Sequence, residues 1–178
     1  MLVVRRFSID RMRYLREFGI GLAVSFTAAF FGGLAAYKAI QWLGYPPFFT
    51  LTRMSQHHLR HYQQYIALVA GFYSLFSTVW ALHYASLQGW RRWCGIALCF
   101  VGVVICSGAA GGPLYYVHDY QAGFWPSQAM VEQQLLHAIP QGIVLGVLVM
   151  ALSLPLNVLA LICGTFVTVH LPRFIKRV

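Results

Sequence analysis

The sequence predicts an all-α integral membrane protein: a bundle of four transmembrane helices with both termini cytoplasmic and two longer outer segments. Three observations lead there. Hydrophobic residues make up 59% of the 178 and charged residues only 10%, with a mean hydropathy of +0.64, which is too little charge to cover a soluble globule. Four apolar runs stand out, each of about twenty residues or more, the length that crosses a hydrocarbon core of about 30 Å. Basic residues gather beside alternate ends of those runs, the arrangement that orients a chain in a bilayer.

The first element is a basic segment, residues 1–16, in which Leu2, Val3, Phe7, Ile9, Met12, Tyr14 and Leu15 interleave with Arg5, Arg6, Arg11, Arg13 and Arg16. Such a segment is expected to lie on anionic headgroups. It also looks like the charged start of a secretory signal. The apolar run behind it continues to Ile40, past the length of a signal's apolar region, so it is expected to be a retained first span over approximately 18–42.

Pro46 and Pro47 break the chain after that span, and Ser55 is a suitable N-cap for a helix running into a second span, 65–87. The short GWRRW stretch makes a tight turn into a third span, 93–117. A fourth is expected over 141–169, kinked at Pro155, with Asn157 beside it able to meet the freed backbone groups. In lipid a backbone must satisfy its own hydrogen bonds, so runs of this length are helices. No internal repeat or flexible linker interrupts the chain, which reads as one domain over 1–178.

Of the thirteen Lys and Arg, ten fall on one side of such a bundle: Arg5, Arg6, Arg11, Arg13, Arg16, Arg91, Arg92, Arg173, Lys176 and Arg177. Arg53, Arg60 and a snorkelling Lys38 are left for the other. The basic side is therefore expected to be cytoplasmic, in a bacterial inner membrane, where those ten residues form a surface for anionic lipid or a protein partner. A net charge of +9 in short clusters is a topology signal, and nucleic acid is not expected as a partner.

Small residues recur every fourth position in Ser25-Ala29-Gly33, Ala28-Gly32-Ala36, Gly108-Gly112 and Gly142-Gly146. This spacing lets helix backbones approach closely where lipid supplies no hydrophobic drive to associate. Ala29, Gly32, Gly33, Gly108, Gly112, Gly142 and Gly146 are accordingly the expected packing residues, within one chain or between copies. Trp and Tyr cluster near span ends, as interfacial anchors do.

The chemistry-bearing residues lie in the two outer segments, which hold five of the seven histidines and two of the four acids. In SQHHLRHYQQY, residues 55–65, His57 and His61 share one helical face at i, i+4, a spacing at which two imidazoles grip one metal ion. His118, Asp119, Glu132 and His137 are the candidates to complete a divalent-metal site. The alternative is a solvated helix end. A haem would need histidines level on facing spans, and 22 residues separate His61 from His83 while 33 separate His137 from His170, which makes paired haems the poorer fit. Cys94, Cys99, Cys106 and Cys163 all fall in apolar stretches without a CxxC pair, and read as buried small hydrophobes.

No catalytic motif appears: there is no GxSxG, HExxH or phosphate-binding loop, and Lys38 is the one charge within a span. The expected role is binding, as a subunit or accessory of a membrane complex or as a self-associating bundle, including immunity or sensing roles. The alternatives are a metal- or haem-binding subunit using the outer histidines and an oligomeric small transporter or channel.

Overall fold

Helix α1 runs without a break from Leu2 to Leu43. The basic segment 1–16 is therefore no separate element but the first turns of a 42-residue helix, which at 1.5 Å per residue is about 63 Å long and exceeds a hydrocarbon core of about 30 Å. Proline is absent from this stretch, and Arg13 Nε reaches Glu17 Oε1 at 2.9 Å one turn on, so nothing stops the helix at the edge of the apolar run. The computed structural model describes residues 2–43, 61–124, 127–152 and 156–177. Arg53, His57 and Arg60 lie outside the described residues, as do the side chains of Arg5, Arg6, Lys176 and Arg177.

The other helices are α2 (Tyr62–His83), α3 (Gly89–Gln121), α4 (Gln128–Leu152) and α5 (Leu156–Arg177), and no strand occurs among the described residues. Among the described residues, four segments are long and apolar enough to cross a membrane: Arg11–Ala39, Tyr62–His83, Gly89–Gln121 and Val158–Ile175. The expected fourth span, 141–169, is covered by α4 as far as Leu152 and by α5 from Leu156; residues 153–155, and with them the kink expected at Pro155, lie outside the described residues.

Neighbouring helices are antiparallel through α4. Along α1 and α2, Tyr14 Oη lies 3.1 Å from His83 Nε2, and Ser25 Oγ lies 3.5 Å from the Ser74 carbonyl and from Thr78 Oγ1. At the far end Tyr37 stacks on Tyr62 with centroids 4.2 Å apart. Ser25, Ser74, Ser77 and Thr78 are all buried, a polar seam in which the serine hydroxyls bond helix carbonyls and Thr78 meets Ser25, instead of facing lipid. Between α3 and α4 the contact is backbone on backbone. A Cβ on Gly108 would stand 2.8 Å from the Gly142 carbonyl oxygen, one on Gly112 would overlap the Ala138 carbonyl oxygen, and one on Gly142 would overlap that of Gly108.

Helix α5 runs parallel to α2 and packs on α1 and α2. Tyr73 Oη donates to the Gly164 carbonyl at 2.7 Å and lies 3.0 Å from Thr168 Oγ1. Further along, Leu171 and Ile175 close an apolar cluster with Trp80, Ala81 and Ile96. Gly95 admits the Trp80 indole against the α3 backbone, since a Cβ there would sit 3.0 Å from Nε1.

This register gives the bundle two unlike ends. The Tyr14–His83 contact and the turn at 84–88 place Arg11, Arg13, Arg16, Arg91, Arg92 and Arg173 at one end, all exposed except the half-buried Arg92. The opposite end holds Tyr37, Tyr62, His61, Tyr65 and His118.

Candidate functional site

The histidine end is built where the first turn of α2 crosses the last turns of α3. His61, Gln64 and Tyr65 stand at i, i+3 and i+4, so they share one face, and His118 of α3 packs into it with 3% of its surface exposed. His118 Nε2 lies 2.8 Å from Gln64 Oε1, and its Nδ1 lies 3.0 Å from Tyr65 Oη. An amide oxygen only accepts, so Nε2–H donates to Gln64 and Nδ1 accepts the Tyr65 hydroxyl. Both nitrogens of a neutral imidazole are engaged in this way, the condition under which a histidine is stable when buried.

His61 lies flat on His118, with ring centroids 4.0 Å apart and an interplanar angle of 17°, and Tyr65 meets the same imidazole edge-on at 78°. Asp119 and Tyr115 stand within electrostatic reach of the Tyr65 hydroxyl. Beside this group, Lys38 Nζ sits 5.5 Å from the centre of the Tyr62 ring and 3.4 Å from Gln41 Oε1, while Gln41 Nε2 donates to Tyr37 Oη at 3.1 Å. The lysine charge is thus directed towards polar and aromatic groups at the bundle end, away from the apolar span.

Of the six residues expected to hold a metal, the structure brings His61 and His118 together, and Asp119 follows His118 in sequence. Glu132 accepts from Gln128 Nε2 at 2.9 Å on its own helix, and His137 is exposed on α4. His57 is outside the described residues. Among the described residues no three His, Cys, Asp or Glu side chains converge. An imidazole lone pair lies in the ring plane, so two nearly parallel rings do not aim at one ion. His83 and His170 are likewise apart in role: the first meets Tyr14, and the second has Nδ1 2.9 Å from the Phe166 carbonyl, to which it donates. All four cysteines are free thiols, with Cys94 and Cys163 exposed on the helix surface where burial was expected.

Compared with known protein families, characterised proteins and solved structures, the chain matches none. What the site can do therefore rests on its own geometry. It is a small polar lock between two helices, with His61 partly exposed over it.

The packing residues divide by face. On α1, Ser25 is buried and a Cβ on Gly33 would stand 2.8 Å from Ile66 Cγ2, so the Ser25-Ala29-Gly33 stripe points into the bundle. Gly32 has nothing within 4 Å of a Cβ position, and Ala28 and Ala36 are exposed beside it. The Gly164 approach to Tyr73 and Phe100 was not among the expected packing positions, although Ala160 stands four positions before it in α5.

Proposed function

We propose that the chain is an integral membrane protein that acts by binding, either as a subunit of a membrane assembly or by association with its own copies. Its arginine end faces the cytoplasm and its histidine end faces outward, in a membrane of the bacterial inner type. The collection of arginines at one end supports that orientation, by the positive-inside rule. The observation that carries the binding reading is the Ala28-Gly32-Ala36 stripe. It repeats the spacing used inside the bundle, faces outward, and meets no neighbour at Gly32. Small residues on an outward face allow a second helix to approach its backbone.

Gly32→Leu tests this, because the space at Gly32 is open and the fold tolerates the side chain. Extraction in a mild detergent followed by mass measurement of the intact assembly should give a complex for the parent and the lone chain for the variant. A variant complex of parental mass and yield would refute the reading.

The meeting of His61 and His118 favours a second reading, a divalent-ion site at the outer end. It requires the two rings to turn out of their stack and His118 to release Gln64 or Tyr65. Stoichiometric metal in the parent, absent from His61→Ala, would support it; none above background in the parent at neutral pH would exclude it.

A further inference from the structure

A groove of about 530 Å³ runs between the first turn of α3 and the outward face of α5, with Trp93 on one side and Val158, Ile162, Phe166, Val169 and His170 on the other. Val158 and His170 are twelve positions apart, which is about 18 Å of helix. One leaflet of a hydrocarbon core is about 15 Å deep, half of the usual thickness. The groove thus has the depth of a single leaflet, beginning at the arginine end of the bundle.

Its walls are almost wholly apolar, and no arginine lines it; it opens at the arginine end of the bundle, where Arg91 and Arg92 precede Trp93 in sequence and Arg173 follows Phe166 and His170 along the same face of α5. Arg91 and Arg173 are exposed. Arg92 Nε is buried and has no hydrogen-bond partner among the described residues. Buried guanidinium nitrogen normally finds an acceptor.

We propose that this groove binds one anionic phospholipid of the leaflet at the arginine end, with an acyl chain along Trp93, Ile162, Phe166 and Val169 and the phosphate among Arg91, Arg92 and Arg173. The charge at this end of the bundle decides the occupant. A second copy of the chain on this face would bring its own arginines to the same depth, because copies share one orientation in the membrane, and like charges would oppose each other. A zwitterionic lipid offers the same chain, but its ammonium group offsets its phosphate. The site requires only that the bundle sits in a bilayer; it does not depend on the α1 association face or on which side the arginine end occupies.

The test is quenching of tryptophan fluorescence in reconstituted vesicles of phosphatidylcholine with a small fraction of brominated phosphatidylglycerol or brominated phosphatidylcholine, the Trp93 signal being taken as the difference from Trp93→Phe. Brominated phosphatidylglycerol should quench Trp93 at a mole fraction at least about fivefold lower, the factor that about one arginine contributes at an anionic surface. The preference should vanish in the combined Arg91→Gln, Arg92→Gln, Arg173→Gln variant and persist when Arg11, Arg13 and Arg16 are changed to Gln. Ile162→Phe, which fills the groove without changing charge, should reduce quenching by both lipids. Equal quenching by the two lipids would overturn the proposal. So would loss of the preference in the α1 variant, which would indicate surface charge alone, or quenching that falls as protein density rises, which would place a second copy in the groove.

Discussion

Gly112→Ala adds one methyl group to α3 and should cost far more than its size suggests. The new carbon would overlap the Ala138 carbonyl oxygen and lie 2.8 Å from the carbonyl carbon and 3.1 Å from Gly142 Cα. These are backbone atoms of α4, so no side-chain rotation relieves the contact; the two helices must separate. Separation by even half an ångström weakens every neighbouring van der Waals contact along the Gly108–Gly142 seam. Overpacking of this kind costs up to about 3 kcal/mol, against which alanine's better helix propensity returns about 1 kcal/mol. The net expectation is a loss of about 2 kcal/mol. Gly32→Ala has open space around it and should be neutral or stabilising by up to about 1 kcal/mol. Unfolding by sodium dodecyl sulfate in mixed micelles, followed by far-ultraviolet circular dichroism, compares the two directly. Equal stability of Gly112→Ala and Gly32→Ala would refute the close approach of α3 and α4.

By the same assay, His118→Leu removes the hydrogen bonds to Gln64 and Tyr65 and should destabilise by about 1–3 kcal/mol, whereas His61→Leu removes only a ring contact and should cost about 1 kcal/mol or less; the reverse order would contradict the hydrogen-bonded core of the histidine end. Tyr73→Phe deletes the bonds to Gly164 and Thr168 and should cost about 1 kcal/mol, the scale of interhelical hydrogen bonds in membranes; no change in the unfolding midpoint would mean that α5 is held by packing alone. In a background with Cys94, Cys99, Cys106 and Cys163 replaced, Gln121→Cys should react with an impermeant thiol reagent in intact cells and Gln88→Cys should not. Labelling of Gln88→Cys would overturn the assigned orientation.

Much of the architecture was legible because bilayer thickness translates directly into run length: the runs at 18–42, 65–87 and 93–117 each fall within or largely within a helix. Helices α4 and α5 cover the run at 141–169, and the kink expected at Pro155 falls outside the described residues. At the site, the sequence offered His61 and His118 as separate candidates but carried no information on their meeting, which depends on the register of α2 against α3. Gln64 and Tyr65 were passed over because the search was for metal-ligating types; their i+3 and i+4 relation to His61 was the clue to a shared face. On α1 the two small-residue stripes looked equivalent in spacing, and only the position of α2 separates the inward Gly33 from the outward Gly32.

The late position of α5 in the chain has a consequence for how the bundle comes together during synthesis. Helices α1 and α2, and α3 and α4, find their main partners next to them in sequence, so each pair can form as soon as it leaves the translocation machinery. Helix α5 must reach back to α1 and α2, and it brings Leu171 and Ile175, two of the five buried members of the cluster around Trp80 and Ile96. Until those residues emerge, Trp80 has its α3 neighbours Gly95 and Ile96 but lacks its α5 ones, so the cluster at the arginine end closes only when the last helix arrives.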